Sequence, residues 1–570
     1  MDDYFPIAPY IHADTVSSAI KDVVFGRNVA CRQIIQAFSD NIKQDEQIGY
    51  YLEWKLTGDP LKAFKDIWGD KDLENIQSKM RYFGEFSELR SDYIECVLIF
   101  DPNIDNIARC RLLNSQQKEF SILGLVHSLH TLTSHQRIRS LITGNLMPWD
   151  ALICTSSDSK QLVDKIMHVQ AEEIFRKFYL SKHQQREFQK KIPQTPLIPL
   201  AGPSDIDCQS GKLLESRDRI KREARRSLNI PISSFVMVSV GRLSHITKSN
   251  PSILFSTLEK LALKYRRNKF ILILAGAFDG QYSMKCYEEL YEICKQFQII
   301  ILGGTRPTTD IEMQKAIRAS DIFISMSDNP QETFGLSLLN ALVEGTPIIA
   351  SKWSGYKDIV EHGENGYLIN TSTFSFAESN YSLPRSLYLT SEVDDSIYSY
   401  LESMQVIVDP GHLFACLEKL FLSPSLCEKF VHNGYQIYTE KFSPKSVVNK
   451  YRDLACRLTE IRQAFANRTE KPFVNNQVEP NHIYPEKRIE ISNTTIARTS
   501  AETLRNLDFL KLEINSMALE VIGFRGLEKL ILLLQESKLI TINHVNSICL
   551  DYAQARYIFV TLLKLGILEL

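Results

Sequence analysis

A carboxylate and a glycine stand directly before an apolar helix in the segment SDNPQETFGLSLLNALVEGTP, residues 327–347. Gly335 to Val343 carries apolar residues on every face, which predicts a buried helix after the strand DIFISMS. In doubly wound sheets such a helix starts at the carboxyl edge of the strands, where its unpaired amides favour phosphate oxygens. Gly335 would let a diphosphate approach the backbone closely. Glu332, which phosphate repels, is suited to accept hydrogen bonds from sugar hydroxyls.

Two cations and one amide complete this candidate site. Arg242 follows the strand FVMVSVG and Lys248 stands six residues later in a loop, so both are expected at the same sheet edge. Such a pair can neutralise a diphosphate without a metal. Asn340 lies about two helical turns beyond Glu332, where its amide could bond ribose hydroxyls. Each residue also has a plainer interpretation: Glu332 could cap helix amides, the cations could form a surface pair, and Asn340 could bond within the core.

Short apolar runs alternate with amphipathic helical segments along most of the chain. Fully apolar strands separated by helices indicate parallel sheets covered on both faces, and doubly wound α/β domains fit them. The candidate strands are IECVLIF from Ile94, FSILGLVH from Phe120, ALICTS from Ala151, PLIPLA from Pro196, FVMVSVGR from Phe235, KFILILAG from Lys269, IIILGG from Ile299, DIFISMS from Asp321 and TPIIAS from Thr346.

The composition is that of a soluble globular protein: 570 residues, 44% hydrophobic and 24% charged, with a net charge of −2. This balance excludes a disordered chain and a bulk nucleic-acid binder. The eleven cysteines show no CxxC pair and no zinc spacing, so we expect reduced core residues of a cytoplasmic protein. The basic segments Phe175–Lys191 and Arg217–Arg226 could attach peripherally to an anionic membrane, although solvated helix faces are the commoner reason for such runs.

Longer motifs surround the candidate site, and they carry a resemblance. They are VGRL followed by Lys248, ASDIFISMSDNPQETFGLSLLNALVEGTPIIAS, and SGYKDIVEHGENGYLI. With them, the run from Ser239 to Ile369 resembles the nucleotide-binding half of family 4 glycosyltransferases of the GT-B fold. NGYQIYTEKFSPKSVVNKYRDL, from Asn433, is similar to the family's closing helices, the last of which crosses back to the first domain. The resemblance implies two Rossmann-like doubly wound domains that face a cleft.

Shifts in composition add boundaries to this division. The predicted parts are an N-terminal acceptor domain (1–205), a nucleotide-sugar-binding domain (206–440) with a surface insertion (371–405), a crossing helix (441–465), a linker (466–500) and a mainly helical unit (501–570). The last unit resembles a winged helix, with Thr541 and Asp551 as N-caps and Gly566 as C-cap. Its final helix offers only Arg556 and Lys564 as cations, so a packing or protein-interaction role is favoured over DNA binding.

The resemblance implies transfer of a hexose from a nucleotide diphosphate sugar to a hydroxyl acceptor, with retention of configuration and without a metal or other cofactor. Arg242 and Lys248 match the family's diphosphate-binding pair. Glu332 matches the first glutamate of its paired-glutamate motif, which contacts the donor sugar. The second glutamate, a ribose ligand, is Asn340 here. Backbone amides that would bind the donor belong to Thr333, Phe334, Gly335 and Leu336.

The acceptor half is expected to place a histidine beside the reacting sugar carbon, in the loop GLVHSLHTLTSHQR. His127 is the first candidate, and His130 with its neighbour Thr131 is the alternative; either could also be a buried structural histidine. The family's Gly-Gly loop is replaced by Ser-Ser-Ala at 17–19, and its asparagine-glycine-aspartate turn by LAGPSDID at 200–207.

The sequence offers weaker support for a metal site and for a function other than transfer. Two DxD triplets, at 205–207 and 70–72, belong to a type that holds a metal in another glycosyltransferase fold, but neither sits in a supporting pattern, so no metal site is predicted. The expected partners are a nucleotide sugar and an acceptor that is a glycan, lipid, small molecule or protein, with no nucleic acid. A second hypothesis is a catalytically weak nucleotide-sugar sensor that acts through its C-terminal unit, and Asn340 favours it.

Overall fold

The computed structural model places two large α/β domains side by side, followed by a small third unit. Each large domain is a six-stranded parallel sheet with apolar layers on both faces. The structure describes residues 4–12, 26–53, 64–65, 77–84, 88–89, 92–114, 118–203, 212–373, 383–466, 492–499, 524, 526–549, 552–564 and 567–569.

The first domain has the strand order β3-β2-β1-β4-β5-β6, which is the Rossmann order. In β4, Leu98 packs into one apolar cluster while Val97 and Ile99 pack into another, so both faces of the strand are buried. Burial on both faces explains why this strand is continuously apolar. The elements are β1 Ile7–Ile11, α1 Gly26–Asp40, β2 Ile48–Leu52, β3 Met80–Phe83, β4 Cys96–Ile99, α2 Asp105–Leu113, β5 Ser121–Leu125, α3 Leu132–Thr143, β6 Ala151–Ile153, α4 Ser157–Lys177 and α5 Lys182–Gln189.

The second domain repeats this topology in the order β12-β11-β10-β7-β8-β9. Asp321, just before β10, fixes the first helix of the domain, because its carboxylate accepts hydrogen bonds from Lys221, from Arg225 (2.8 Å) and from the amide of Val236 (2.7 Å). The elements are α6 Lys212–Ser227, β7 Phe235–Val240, α7 Ser252–Lys264, β8 Phe270–Ala277, α8 Gly280–Ile293, β9 Gln298–Gly304, α9 Asp310–Ala319, β10 Ile322–Ser325, α10 Leu336–Val343, β11 Ile348–Ser351, α11 Tyr356–Ile359 and β12 Gly366–Ile369.

Three closing helices return the chain from the second domain to the first. They are α14 Pro410–Leu422, α15 Pro424–Ile437 and, after a π-helical turn at Tyr438–Phe442, α16 Pro444–Ala466. Helix α16 lies against the first domain, where Arg452 makes two hydrogen bonds to the Glu46 carboxylate at 2.7 and 2.6 Å. Arg462 donates to the backbone carbonyl of Glu95 at 2.8 Å and to its carboxylate. The two domains are therefore held together by charged contacts as well as by the chain.

Two smaller regions complete the description. Between β13 Thr371–Thr373 and β14 Val406–Val408 lie α12 Leu383–Leu389 and α13 Asp395–Ser403, which occupy the predicted insertion. The C-terminal unit contains α17 Leu527–Glu536, α18 Ile542–Asn546 and α19 Tyr552–Lys564. Its antiparallel sheet consists of β15 Ala497–Thr499, β16 Leu539–Ile540 and β17 Leu568–Glu569. Strand β15 falls within the predicted linker, so the unit begins earlier in the chain than the sequence indicated. The winged-helix interpretation stays a prediction.

The predicted fold class is confirmed by the two Rossmann-like sheets, and eight of the nine candidate strands form. The ninth, PLIPLA, is wrong as a sheet strand, because its bridge from Leu197 to Cys154 is isolated. Prolines at 196 and 199 have no amide to donate, which prevents a regular ladder there. The residues 17–19, both DxD triplets and the proposed caps Asp551 and Gly566 lie outside the described residues. Thr541 does cap its helix, accepting from the His544 amide.

Lipid attachment through the segment Arg217–Arg226 is not supported, because Lys221 and Arg225 are bound to Asp321 inside the domain. No helix within the described ranges is both long and apolar enough to span a bilayer.

The first domain contains a fully buried ion pair whose loss should be costly. Asp150 accepts two hydrogen bonds from Arg111, at 2.7 and 2.6 Å, and further bonds from the amides of Ile122 and Met147. Asp150→Ala should lower the free energy of unfolding by about 3–5 kcal/mol, because it leaves the Arg111 charge unpaired in the core. Urea denaturation would measure this, with Glu187→Ala, in the exposed Lys190 pair, as the control that changes nothing measurable. Equal effects of the two variants would contradict the prediction.

Candidate active site

The loop that carries Glu332 is fixed by one asparagine. Asn329 is buried, and its amide donates to the carbonyl of Ile246 at 2.8 Å while its side-chain oxygen accepts from the amide of Gln331 at 2.9 Å. Its own carbonyl accepts from the indole of Trp353 at 3.0 Å. These contacts join the loop after β10 to the loop after β7. The segment bearing Glu332 therefore approaches the segment bearing the predicted cations.

Glu332 and Lys248 form a mostly buried ion pair, with side chains 15% and 23% exposed. The hydroxyl of Tyr356 also donates to the Glu332 carboxylate, at 3.3 Å. Burial alone would lower the pKa of Lys248 and raise that of Glu332, but the attraction between them reverses both directions. The pKa of Lys248 is raised and the pKa of Glu332 is lowered. Both groups therefore stay charged around neutral pH.

Arg242 lies beside this pair and is more accessible. Its guanidinium donates to the side-chain oxygen of Gln331 at 3.2 Å and lies 3.8 Å from the Asp279 carboxylate. The backbone turns sharply just before it, where Gly241 has a φ of +138° and its carbonyl fills the space a Cβ on Gly276 would need. Two glycines at the ends of β7 and β8 thus let the Arg242 loop lie close to the sheet edge.

Gly335 is required where the helix α10 begins. Its φ is +110°, and a Cβ there would lie 2.5 Å from the ring of Tyr356. Because Tyr356 also bonds Glu332, the close approach of this ring to the backbone links the helix start to the ion pair. The sequence predicts a helix start near Phe334 or Gly335, and α10 begins one or two residues later, running from Leu336 to Val343.

Thr333 connects the loop that carries Glu332 to the first domain. Its hydroxyl donates to the carbonyl of His127, and its own carbonyl accepts from the hydroxyl of Ser156 at 2.7 Å. The residue next to Glu332 is therefore bound to two loops of the opposite domain. Nearby, the Ser157 amide donates to Asp358 at 2.6 Å, which adds a further contact across the cleft.

His127 is held neutral at the end of β5. Its Nε2 lies 3.2 Å from the carbonyl of Phe100, to which it donates, so the neutral ring keeps its lone pair on Nδ1. Burial, with a contribution from the Arg27 charge, lowers the pKa of His127 to about 3. The imidazole is therefore uncharged at any pH at which the protein would work.

His130 lies further out in the same loop. Its Nδ1 is hydrogen-bonded to the Ser128 hydroxyl, and burial lowers its pKa, with Asp395 opposing and Arg242 reinforcing that shift. The charges of the two residues reach His130 from the second domain. Both candidate histidines thus belong to the cleft, His127 at its floor and His130 towards the second domain.

Asn340 is separate from this group. Its amide donates to the sulfur of Met313 on α9 at 3.5 Å, and the residue is half-buried. The carboxylate that follows it, Glu344, is occupied by Arg318 at 2.5 Å and Gln314 at 2.7 Å. Of the other predicted donor-binding residues, Arg242 bonds Gln331, the neighbour of Glu332, and Thr333 to Leu336 follow Glu332 directly in the chain.

Three residues at the site were not predicted. Tyr356 and Ser156 were missed because neither is chemically distinctive in the sequence. Asp328 was missed although it lies within the opening motif: it is 2% exposed, and its Oδ1 has no hydrogen-bond partner among the described residues. Burial raises the pKa of Asp328 to about 7. No group of three or more metal-ligating side chains was found in the described part of the chain.

Comparison with known proteins supports the chemistry of this half. Residues 220–378 match the family model for glycosyl transferases group 1. The D-inositol 3-phosphate glycosyltransferase of Corynebacterium urealyticum is 30% identical over 161 residues, which are 28% of this chain and 37% of that protein. The corresponding enzyme of Corynebacterium aurimucosum is 26% identical over 252 residues, or 44% and 55% of the two chains. This region of the chain is similar to sugar-transferring enzymes.

The similarity is partial in extent. The chain spans between about a third and just over half of the length of these curated relatives. Among solved structures, HepE of Anabaena in complex with UDP and glucose is 13% identical with a TM-score of 0.45, covering 78% of this chain and 98% of that one. Sucrose-phosphate synthase of Thermosynechococcus elongatus is 16% identical with a TM-score of 0.44, covering 81% and 100%.

The close approach of Gly335 to Tyr356 can be tested with two glycines. Gly335→Ala and Gly363→Ala both place a side chain at positive φ, but a Cβ at Gly363 meets nothing within 4 Å. Gly335→Ala should therefore lower the free energy of unfolding by about 1–3 kcal/mol more than Gly363→Ala, because the Tyr356 ring must move. Thermal or urea unfolding would measure the difference. Equal destabilisation by the two variants would show that the ring does not constrain the backbone.

Asp328 should make stability fall as pH rises. Its pKa is raised in the fold, so the folded protein binds more protons than the unfolded chain between about pH 4 and pH 7. Over that window the free energy of unfolding of the wild type should fall by about 4 kcal/mol relative to that of Asp328→Asn, which cannot ionise. The measurement is urea denaturation of both proteins at pH 4 and pH 8. Parallel pH dependence in the two proteins would show that Asp328 does not titrate in this range.

Proposed function

We propose that this chain is a glycosyltransferase that moves a hexose from a nucleotide diphosphate sugar to a hydroxyl acceptor, with retention of configuration and without a metal. The observation that carries the proposal is the Lys248–Glu332 pair at the carboxyl edge of the second sheet, beside Arg242 and across the cleft from His127. Cations for a diphosphate and a carboxylate for sugar hydroxyls lie together there. The match of residues 220–378 to group 1 glycosyl transferases supports the same assignment.

The diphosphate would lie between the cations and the start of α10. Arg242 and Lys248 balance its charge from one side, while backbone amides from Thr333 to Leu336 approach it from the other. Fixed cations and amides stabilise the negative charge that grows on the leaving diphosphate as the glycosidic bond breaks. This is the work that a metal performs in other transferases, so the site can act without one.

Because Lys248 and Glu332 are paired, the diphosphate of the donor would bind Lys248 before the sugar binds Glu332. Lys248 is neutralised by Glu332, and an incoming diphosphate would compete for the same ammonium group. Once Lys248 turns to phosphate, Glu332 loses its cation and becomes available to accept hydrogen bonds from hydroxyls of the sugar. Tyr356 keeps the carboxylate oriented during the exchange, since its hydroxyl donates to the same oxygen atom. Phosphate binding thus prepares sugar binding.

The histidine loop serves the reacting carbon. A carbonyl oxygen and a neutral imidazole stabilise a developing oxocarbenium better than an imidazolium, and His127 offers both without carrying charge. Its carbonyl is positioned by the Thr333 hydroxyl, so the donor loop and the histidine loop are set relative to each other. His130, beside the Arg242 charge, is the nearer of the two to the diphosphate side.

Retention of the anomeric configuration follows from the choice of base in the donor pocket. In the donor complex Glu332 accepts from the sugar hydroxyls, Asp279 accepts from Thr247 at 3.1 Å and faces Arg242, and Asp328 is enclosed. With these carboxylates engaged, an oxygen of the leaving diphosphate takes the proton of the attacking hydroxyl. The hydroxyl then attacks from the face that the diphosphate leaves, which preserves the configuration. Contacts across the cleft exclude water from this step.

Donor turnover can be tested with the purified full chain. UDP-, GDP- and ADP-sugars should be screened for hydrolysis and transfer in the presence of EDTA, and at least one should turn over. Glu332→Gln should lower kcat/KM for that donor about 10²-fold or more, because the hydroxyls of the sugar lose a charged acceptor. The matched control is Glu344→Gln, whose carboxylate is held by Arg318 on a neighbouring helix.

The outcomes separate the hypotheses. Turnover that EDTA abolishes would overturn metal independence, and a product of inverted configuration would overturn retention. Donor binding without turnover for every nucleotide sugar would favour the sensor hypothesis. A Glu344→Gln variant as inactive as Glu332→Gln would indicate general damage to the helix α10 and not a role in sugar binding.

A further inference from the structure

The insertion between β13 and β14 lies on the loops of the candidate site. The carbonyl of Ser399 accepts a hydrogen bond from Asn329, the residue that fixes the Glu332 loop, at 3.4 Å. The ring of Tyr400 meets His245 edge-to-face at 5.9 Å, within the loop between Arg242 and Lys248. Helix α13 is therefore seated on both donor-side loops, and the insertion is part of the cleft wall.

The insertion also reaches across to the first domain. The hydroxyl of Tyr388, on α12, accepts a hydrogen bond at 2.9 Å from the amide of Leu132, the first residue of α3. Leu132 is two residues beyond His130 in the histidine loop. Tyr388 is buried and stacks on Tyr398 of α13, with ring centroids 4.3 Å apart and planes within 7°. A rigid aromatic pair thus holds the insertion against the loop that carries both candidate histidines.

One carboxylate is positioned by this contact. The Tyr388 hydroxyl, having accepted from Leu132, donates its own proton to Oδ1 of Asp395. Asp395 is exposed at the start of α13, and its charge acts on His130, which Arg242 also influences from the diphosphate side. Asp395 thus lies beside the histidine loop, joined through the Tyr388 hydroxyl to the amide of Leu132. In the proposed donor site the diphosphate lies at Arg242, which leaves Asp395 to the acceptor.

The charge of the insertion bears on what can enter there. Residues 383–405 contain one basic residue, Arg385, and four carboxylates, at Glu392, Asp394, Asp395 and Glu402. Asp394 is occupied as the N-cap of α13, accepting from the amides of Ser396 and Ile397 at 2.9 Å each. Asp395 is the carboxylate directed towards the histidine loop. An anionic group brought beside it would be repelled, whereas a neutral hydroxyl could donate to it.

We propose that Asp395, oriented by Tyr388, binds a non-reacting hydroxyl of the acceptor, so that the insertion selects acceptors that are uncharged at this end. The inference rests on the proposed transferase function and assigns the acceptor class that the donor-side similarity leaves open. The residues 220–378 that match the family model stop before α12 and α13. The curated relatives act, by name, on a phosphorylated inositol, so a preference for a neutral polyol would set this chain apart.

The test uses the full chain and the donor found by the screen above. Acceptors are offered as matched pairs, glucose with glucose 6-phosphate and myo-inositol with inositol 3-phosphate, and kcat and KM are measured for each. Donor hydrolysis without acceptor is measured in parallel. The wild type should prefer the neutral member of a pair. Asp395→Asn should raise the acceptor KM about tenfold, with kcat and donor hydrolysis unchanged, because one charge-assisted hydrogen bond is lost.

Two further variants distinguish acceptor binding by Asp395 from a structural role of this residue. Asp394→Asn removes an equal charge one residue away but keeps the helix cap, so its acceptor KM should equal that of the wild type. Tyr388→Phe leaves the Asp395 carboxylate in place without its hydrogen bond, so KM should rise by a smaller factor. Asp395→Asn should also narrow the preference for neutral over phosphorylated acceptors, which a purely structural role would not change.

The result that overturns the inference is specific. A wild type that prefers the phosphorylated acceptors, or an Asp395→Asn variant with the same KM as Asp394→Asn, would show that Asp395 does not bind the acceptor. Intact donor hydrolysis with transfer to none of the four compounds would also count against it. Absence of donor binding and hydrolysis would instead remove the proposed function, and a fall in kcat alone would assign Asp395 to the chemical step.

Discussion

The ion pair between Lys248 and Glu332 is the interaction on which the rest of the site depends. Replacing a buried ion pair by apolar residues is often neutral or stabilising, so such a pair is weak as a stabilising device. Its surroundings nevertheless serve to form it: Asn329 joins the two loops, Gly335 admits the ring of Tyr356, and Tyr356 bonds the carboxylate. This much local constraint on two charged side chains is understandable if both are needed for a ligand that carries negative charge and hydroxyls.

The same loop couples the pair to the closure of the cleft. Thr333 follows Glu332 directly, and its backbone carbonyl and side chain both bind the first domain, at Ser156 and at the His127 carbonyl. Domain separation would therefore break the contacts of the residue beside Glu332. It would also break the contacts of Ser157 with Asp358 and of Leu132 with Tyr388, while helix α16 stays bound to the first domain through Arg452 and Arg462. In the proposed transferase, donor binding would be linked to closure through the segment of Glu332 and Thr333.

Much of this arrangement could be predicted from the sequence because it follows from periodicity and topology. Parallel strands end at a shared edge, so Arg242, Lys248 and Glu332 had to meet once their strands were recognised. Other features depend on contacts between residues far apart in the chain, which no local pattern encodes. Tyr356 lies in a short helix of ordinary composition, and the partner of Tyr388 is 256 residues away. The irregular sequence at 371–405 has no period and predicts a surface insertion, although its helices α12 and α13 contact the loops of the cleft.

The asparagine at position 340 is explained by the charges around it. The resemblance places a glutamate there, but the amide of Asn340 donates to the sulfur of Met313, a weak acceptor that it could leave at little cost. Of the two basic residues on the facing helix, Lys315 is exposed and Arg318 is already held by Glu344, one turn beyond Asn340. A carboxylate at 340 would be half-buried next to a thioether without a cation of its own, whereas an amide is neutral and can still bond a hydroxyl. In the proposed transferase, Asn340 would bring no charge to the nucleoside end of the donor. Arg242 and Lys248 would then supply most of the affinity for the donor, at its diphosphate end.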